Sequence, residues 1–233
     1  MISQYSRPRD IDREFWEDHP KAKYWLKKHT SSRQQTLKLM DDGGWDVLEF
    51  KKKYNFSEPV FYTSPTTGNR WLTYLVSKND EGFRMHTRMI LYQFTDQSMT
   101  IMIPITTVDT DDDGNRTGER IGINVYTAHM FLRMADKERL GVDMSDRVKV
   151  MRNFVEFVGT GWSDTRPPRK GEKHDQIILR TPASWLRGHT ANVGDRFVNI
   201  YRTFYTDRSM SYAQLKDVRS FKKFADAKMN NKK

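Results

Sequence analysis

The sequence predicts an α+β protein, because its hydrophobic periodicity changes twice along the chain. A helical period gives way to a period of two at Arg70 and returns after Tyr126. Aromatic residues make up 12% of the 233 residues, which indicates a folded core built around rings. We expect an N-terminal basic helical segment (1–56), an antiparallel β-meander (57–126) and a helix–sheet–helix half (127–233). The last two regions are either separate or one continuous domain.

The N-terminal segment is predicted to form two amphipathic helices. Asp10 is a candidate cap for a short helix that ends near Trp16, and Pro20 fits the first turn of the next helix. The outer surface of that second helix carries lysines, and the acidic and glycine residues at 41–44 end the helical pattern. A linker that contains proline and serine, SEPVFYTSPTTGN, is expected at 57–69.

Four runs with a period of two follow one another with short turns between them, which is typical of an antiparallel meander. These runs are RWLTYLVS, FRMHTRMILYQF, SMTIMIPITTV and ERIGINVY. In the second run, Arg84, His86 and Arg88 alternate with apolar side chains. This alternation predicts a sheet with one face on the core and one wet, partly basic face.

The C-terminal half is predicted to begin with two helices. Thr127 is a candidate N-cap for a helix that ends near Lys137, and Ser145 is a candidate cap for the second helix. A loop rich in glycine, proline and arginine follows at 159–173. Three strands come next, QIILRT, SWLRGHT and DRFVNIYRTFYT, and then a closing helix over 211–227. This order predicts a helix pair packed on a second antiparallel sheet.

The charge balance indicates a polyanionic partner. The chain has 40 Lys and Arg against 30 Asp and Glu, a net charge of +10, and nucleic acid is the commonest polyanion inside cells. We therefore expect RNA or DNA as the partner. A solvated basic surface that only maintains solubility is the alternative. A protein partner or a larger assembly is compatible with the same composition.

Several classes of protein and site are excluded by what the sequence lacks. There is no cysteine, so neither a disulfide nor a thiolate metal site nor a thiol nucleophile is available. The first residues contain no apolar signal core, and no run approaches the ~20 apolar residues of a membrane span. We expect a cytoplasmic protein, with a virion component as the alternative, and no membrane partner.

Residues 109–120, DTDDDGNRTGER, match the start of a calcium-binding EF-hand loop. Three aspartates and a glycine fit its first positions, but Arg120 stands where that loop needs a bidentate glutamate. The flanking segments have strand periodicity, so we prefer a hairpin turn built by Asp-Gly chemistry, with no metal. The sequence contains no phosphate-binding glycine loop, zinc-protease motif or serine elbow, and we expect no cofactor.

The helix that is predicted to begin at Thr127 places His129 and Arg133 on one face and turns Phe131, Leu132 and Ala135 towards the core. Cleavage of a phosphodiester without a metal needs a base for the 2′-hydroxyl proton, a cation for the phosphate charge and an acid for the leaving oxygen. Histidine suits proton transfer near neutral pH, and arginine suits phosphate. His129 and Arg133 are therefore candidate catalytic residues at a helix end that favours anions. An ordinary amphipathic helix is the alternative.

The last strong strand run supplies further candidates. With a period of two, Tyr201 and Thr203 share a face and Arg202 points to the other. We expect Tyr201 and Thr203 to act with His129 as catalytic residues, whereas the alternative is that these strand residues belong to the core. Basic side chains that would add phosphate contacts are Arg139, Arg202, Arg219, Lys222 and Lys223.

The run HMFLRMADKERLGV carries a pattern of His-x-x-x-Arg-Met followed by Arg-Leu. It resembles the start of small RelE-like ribonuclease toxins. The resemblance covers residues 121–228 and implies a fold in which helices precede an antiparallel sheet, with metal-independent cleavage of RNA as the activity. The chain departs from that pattern by a large additional N-terminal half and by one extra residue between Arg133 and Arg139.

The sequence thus favours a basic protein that engages nucleic acid through a ribonuclease-toxin-like domain, with metal-independent RNA cleavage as the expected chemistry. The alternative is a non-enzymatic basic protein, either a nucleic-acid-binding module or a structural component of a larger assembly such as a phage particle. An enzyme that acts on small molecules is disfavoured, because the sequence contains no cofactor motif.

Overall fold

The computed structural model of the chain describes residues 1–31, 41–44, 53–78, 86–110, 115–136, 140–159, 161–181, 184–206, 209–212, 214–216 and 218–219. Its helices are α1 (Pro8–Ser31), α2 (Ala128–Ala135) and α3 (Arg147–Gly159). Its strands are β1 (Asp41–Gly44), β2 (Lys53–Phe56), β3 (Val60–Thr63), β4 (Arg70–Lys78), β5 (His86–Phe94), β6 (Met99–Thr110), β7 (Arg116–Tyr126), β8 (Trp162–Arg166), β9 (Asp175–Arg180), β10 (Trp185–Val193) and β11 (Arg196–Tyr205). The chain is α+β, as predicted, and contains more strand than helix.

All of these strands belong to one sheet. Its order is β1-β2-β4-β5-β6-β7-β11-β10-β9-β8, and β3 pairs with β4. Neighbours are antiparallel except β7 and β11, which run parallel from Phe197 opposite Gly122 to Tyr201 opposite Tyr126. The predicted second sheet is therefore continuous with the meander. The crossover through α2, α3 and β8 to β10 brings β11 back beside β7 in the same direction.

Helices cover both faces of this sheet. On one face, which we call the α1 face, α1 buries Ile11, Phe15 and Leu26 against strand residues that include Leu91 and Ile200. On the opposite face, the α3 face, α2 and α3 share one core with residues from β2 at one end of the sheet and β9 near the other. Because β2 and β9 both reach the same core around a short helix, the sheet curves around α3.

The described part of β5 does not have the predicted wet basic face. Arg88 lies on the α3 face, where it donates two hydrogen bonds to the carboxylate of Glu156 at 2.8 and 3.0 Å. Glu156 is buried, and its hydrogen bond raises the pKa of Arg88. This face is less wet than predicted because α3 packs on it and the buried Glu156 pairs the charge of Arg88, whose side chain remains 37% exposed. His86 is exposed, and Arg84 lies outside the described residues.

The two helices predicted in the N-terminal segment are the single helix α1, which begins at Pro8 and includes Pro20. Pro20 removes one backbone donor, but residues on both sides of it keep the same apolar stripe on the sheet, so the helix continues. Asp10 lies in the first turn and is not the cap. The predicted stop at 41–44 is β1, and the predicted linker at 57–69 contains β3, because turn-forming residues conceal both strands.

Thr127 is confirmed as the N-cap of α2, since its hydroxyl accepts a hydrogen bond from the amide of Met130 at 3.4 Å. Leu132, by contrast, does not point at the core and is 44% exposed. The buried side of this short helix is formed by Met130, Phe131 and Met134. Phe131 is thus buried as predicted, but the buried side is centred one residue earlier than the predicted set of Phe131, Leu132 and Ala135.

The cap of α3 also differs from the prediction. Asp146 accepts a hydrogen bond from the amide of Lys149 at 3.0 Å and so caps the helix in place of Ser145. The loop predicted at 159–173 contains β8, which its proline and glycine residues conceal. In the predicted closing helix, the described residues are helical at 212, 214–216 and 218–219. Residue 211 is not helical, and residues 213, 217 and 220–227 lie outside the described residues.

The acidic segment between β6 and β7 lies in a hairpin, as predicted. Thr110 pairs with Arg116 across it, while Asp111 and Asp113 lie outside the described residues. Within the described ranges, no three His, Cys, Asp or Glu side chains gather in a way that could hold a metal ion. In the same ranges, no helix combines the length and the hydropathy that crossing a bilayer requires.

Candidate functional site

The helix α2 presents His129 and Arg133 to solvent, one helical turn apart. Its N-terminal amides are largely engaged already. The amide of Ala128 donates to the side-chain oxygen of Gln4 at 2.8 Å, and the Thr127 hydroxyl accepts from a second amide. The structure thus keeps the predicted pair on one surface, but it leaves few donors at the helix end for a bound phosphate.

Tyr201, which was predicted to act beside His129, is fully buried. Its ring stacks on that of Tyr126 with the centroids 5.0 Å apart, and its hydroxyl has no hydrogen-bond partner among the described residues. Burial, followed by the proximity of Tyr126, raises the pKa of Tyr201 well above its usual value. A phenol that is closed off from solvent and held neutral is poorly suited to transfer protons at a surface. The structure places Tyr201 in the core of the α3 face.

A β-bulge at Arg202 separates Tyr201 from Thr203. In the pairing of β10 with β11, Gly188 is opposite Tyr201 and Arg187 is opposite Thr203, so Arg202 is the extra residue. Tyr201 and the residue after Thr203 both pack into the core of the α3 face, so Thr203 itself points to the α1 face. The prediction that Tyr201 and Thr203 share a face was wrong, because the bulge interrupts the period of two.

Gly188 allows the two strands to approach at this bulge. A Cβ atom at this position would collide with the carbonyl oxygen of Ile200, so a larger residue would push the backbones apart. The residues that flank it, Arg187 and His189, pair with Thr203 and Ile200 and project to the α1 face with them. The bulge therefore sets which side chains gather on that face.

These side chains line an open cleft of about 490 Å³ on the α1 face. The lining residues come from β9, β10, β11 and the segment before β9: Lys173, His174, Gln176, Arg187, Gly188, His189, Arg202, Thr203 and Tyr205. Three of these described lining residues are permanently cationic, and none carries a carboxylate. Positive charge from three separate segments thus converges on one concave surface, which we call the basic cleft.

Glu172 precedes these lining residues and orients one of the arginines. Its carboxylate lies 3.4 Å from Arg187 and accepts two hydrogen bonds from Arg166 at 2.7 and 3.0 Å. The hydrogen bonds from Arg166 and from the Arg169 amide lower the pKa of Glu172 to about 2. Because Arg166 holds this carboxylate more closely, Glu172 compensates only part of the charge that Arg187 brings to the basic cleft.

Two histidine rings lie within the basic cleft. His174 and His189 are stacked, with their centroids 5.2 Å apart. Burial, with smaller contributions from the charges of Arg202 and His174, lowers the pKa of His189 to about 4. His189 is therefore neutral at pH 7 and can donate or accept a hydrogen bond, whereas Lys173 and Arg202 supply fixed positive charge. The basic cleft thus offers both kinds of contact that a nucleotide needs.

The other predicted phosphate contacts lie in different places. Arg202 belongs to the basic cleft, and Arg219 is exposed in the C-terminal segment. Arg139, Lys222 and Lys223 lie outside the described residues. Of the predicted residues, the structure therefore brings Arg202 and Thr203 together in the basic cleft, away from Tyr201.

Sequence reasoning missed seven residues of the basic cleft, and the four among them with basic or histidine side chains are Lys173, His174, Arg187 and His189. A signal for two of them exists in SWLRGHT, where an arginine and a histidine flank a glycine inside a strand pattern. A glycine in such a position often marks a bulge or a close backbone approach. The register that the bulge produces, however, cannot be read from the residues of one strand.

Neither a protein-family model nor a curated protein nor a solved structure matches this chain.

Proposed function

We propose that the protein binds nucleic acid in the basic cleft. The observation that carries the proposal is the convergence of Lys173, Arg187 and Arg202 on one concave surface whose described lining contains no carboxylate. Arginine donates in a planar fork that matches phosphate, and lysine adds a mobile point charge. The net charge of +10 supports the same partner, because it attracts a polyanion before contact is made.

The size and the neutral groups of the basic cleft favour a nucleotide unit over a free phosphate ion. Its volume of about 490 Å³ lies within the usual range of small-molecule sites, roughly 300–1,000 Å³. Gln176, Thr203 and the neutral ring of His189 are able to bond to a sugar or a base. The cations on either side would then hold the adjacent phosphates of the strand.

Fluorescence anisotropy with labelled RNA and DNA strands of equal length, in EDTA, tests the binding proposal. We expect the logarithm of the association constant to fall with the logarithm of salt concentration with a slope of about −2 for a single strand. This slope follows from roughly three cations that displace counterions. Affinity that is independent of salt, or absence of binding at about 50 mM salt, would contradict the proposal.

Metal-independent cleavage of RNA is the finer part of this proposal. It is supported by the exposure of His129 and Arg133 on one surface of α2. It is also supported by the order of α2 and α3 before β8 to β11, which is the order that the RelE-like resemblance implies. If α2 is catalytic, His129→Ala lowers the cleavage rate in EDTA by about a hundredfold or more and leaves melting and binding unchanged. Denaturing gels of the binding reaction measure that rate.

Intact RNA after long incubation in EDTA would end the cleavage proposal and leave the binding proposal standing. Retention without cleavage is the behaviour expected of the non-enzymatic alternative, a nucleic-acid-binding or structural component of a larger assembly. Cleavage that persists in His129→Ala would show that His129 on α2 is not the catalytic group.

A further inference from the structure

The second half of α1 carries a surface rich in lysine. Lys21, Lys23, Lys27 and Lys28 are exposed, and no Asp or Glu occurs from position 19 to position 40. Asp18 is buried and accepts hydrogen bonds from Ser64 and Asn69, whereas Glu17 is exposed one turn before Lys21. Beyond Glu17 and Asp18, this half of α1 therefore adds positive charge alone.

Tyr24 stands in the middle of this surface and is 73% exposed. Lys21 precedes it by three residues and Lys28 follows it by four, so both are its neighbours on the helix surface, with Cβ atoms about 5–6 Å apart. Ala22 and Leu26 form the buried stripe of the same helical turns and pack on the sheet. The ring of Tyr24 is thus presented to solvent between two lysines.

Other aromatic rings near this surface already have partners. Trp25 stacks on His29 with centroids 3.7 Å apart and packs against Tyr62 at 5.2 Å, which fixes the end of α1 on β3. Tyr24 makes no ring contact with any described residue. A large apolar ring that is exposed among cations has no structural role in the core, and its faces remain open for stacking.

We propose that Tyr24 and the lysines around it form a second nucleic-acid site, which is specific for single strands. An unpaired base can stack on the ring of Tyr24 while Lys21 and Lys28 contact the phosphates on either side, whereas a duplex offers no free base face. The inference rests on the proposed function. The basic cleft and α1 lie on the same face of the sheet, with the Tyr24 half of α1 beside β3 and the cleft across β9 to β11.

The decisive experiment compares Tyr24→Ala with Tyr5→Ala in the full-length protein. Tyr5 is 87% exposed and precedes α1, so its removal is a matched control. The probes are a single-stranded oligonucleotide and an abasic strand of the same length and charge. Tyr24→Ala is expected to lower affinity for the base-bearing strand by about tenfold and to leave the abasic strand unchanged. Tyr5→Ala is expected to change neither affinity, and Tyr24→Phe is expected to retain binding.

The lysines are tested separately with Lys21→Gln combined with Lys28→Gln. This variant should bind both strands more weakly and reduce the salt slope by about one to two. Arg9→Gln combined with Lys149→Gln removes the same charge from exposed positions elsewhere and should have less effect. The inference is overturned if Tyr24→Ala and Tyr5→Ala have the same affinities, or if Tyr24→Ala loses as much affinity for the abasic strand as for the base-bearing strand. Either outcome indicates that this surface binds through charge alone. Failure of the unaltered protein to bind either strand contradicts the proposed function itself.

Discussion

The outer surface of α2 and the basic cleft use the same kinds of side chain but bring them together in different ways. On α2, His129 and Arg133 come from one helix and extend into solvent. In the basic cleft, Lys173, Arg187 and Arg202 come from three segments and surround one volume. A phosphate can be held from several directions at once only in the second arrangement.

The two regions also differ in their contact with water. Charges on a convex helix surface are screened over a Debye length of about 8 Å at physiological salt. In the basic cleft, burial lowers the pKa of His189 to about 4, which shows that part of its wall is withdrawn from water. Walls of lower dielectric strengthen the attraction between the cleft and an anion. The proposal of binding therefore rests on the convergence of strands in the basic cleft and not on the spacing of two residues on one helix.

The largest difference in nucleic-acid affinity is expected between variants that remove equal charge from the basic cleft and from the surface of α2 and α3. Lys173→Gln combined with Arg202→Gln should lower nucleic-acid affinity by about a hundredfold, because each cation makes a charge-assisted contact worth about 1.5 kcal/mol or more. Arg133→Gln combined with Lys149→Gln, on α2 and α3, should lower it by about threefold, through the net charge alone. Anisotropy at one fixed salt concentration measures both.

Circular dichroism and melting curves of the two double variants control for folding. All four side chains are exposed, so changes in stability should stay within about 0.5 kcal/mol for each substitution. A larger loss of affinity in the α2 and α3 variant than in the cleft variant would reverse the comparison and return the site to α2.

Gly188→Ala should destabilise the protein and weaken binding together. The new Cβ would collide with the Ile200 carbonyl oxygen, so β10 and β11 must separate at the bulge. We expect a loss of about 1–3 kcal/mol, which corresponds to a fall in the melting temperature of about 2–4 °C for each kcal/mol in a chain of this size. Differential scanning calorimetry measures the loss.

Gly159→Ala is the matched control for Gly188→Ala. A Cβ at Gly159 meets no atom within 4 Å, so this change should leave the melting temperature almost unaltered. A normal melting temperature and normal binding in Gly188→Ala would show that the bulge does not define the basic cleft.

Local signals in the sequence predicted much of the fold. The strands from β4 to β7 and from β9 to β11 have clear alternation, and Thr127 is a strong cap, so these elements lie where they were predicted. The predictions that were wrong concern features that depend on contacts between residues far apart in the sequence. The parallel pairing of β7 with β11 joins two predicted sheets into one, and the helix α3 packs on the face of β5 that carries Arg88 and pairs its charge. Neither contact leaves a trace in local periodicity.

The candidate site was predicted less well than the fold, because it also depends on a contact between strands that local periodicity does not reveal. A one-residue bulge at Arg202 sends Tyr201 into the core and Thr203 into the basic cleft. Period-two reasoning moves every later side chain of a strand to the wrong face when one extra residue is present. The composition, with its net charge of +10, leads to the prediction of a polyanionic partner, but it does not indicate which surface would bind it.

Acidification is expected to strengthen binding in the basic cleft by about threefold or more between about pH 7 and pH 5. The pKa of His189 is about 4 in the free protein, and a bound phosphate raises it because an opposite charge favours the protonated form. Linkage then requires affinity to rise as the pH falls. Anisotropy at constant ionic strength measures the change, and His189→Gln should remove most of it, with His174→Gln made in parallel because the two rings stack.

The free energy of unfolding of the free protein should decrease as the pH falls, whereas the affinity should increase. Burial lowers the pKa of His19 and of His189 to about 4, below the value near 6.5 of an unfolded chain. The stability conferred by the neutral rings is therefore complete above about pH 6.5 and is lost as the pH falls from there through about 4. Affinity that falls in step with the melting temperature would show that acid acts through unfolding and not through the basic cleft.

The smallest effect on stability and cleavage is expected at Tyr201, the residue that was predicted to act with His129 of α2 in catalysis. Tyr201→Phe removes a buried hydroxyl that has no partner and leaves the ring stacked on Tyr126, so stability should stay constant or rise by about 1 kcal/mol. Tyr126→Phe is the control, because the Tyr126 hydroxyl accepts a hydrogen bond from Asn124 at 3.1 Å and its loss should destabilise by about 1 kcal/mol. Melting curves and RNA incubations in EDTA are measured on both proteins. If Tyr201→Phe reduced cleavage while its melting temperature stayed constant, the Tyr201 hydroxyl would take part in the reaction. The assignment of Tyr201 to the core, away from any substrate on the surface of α2, would then be wrong.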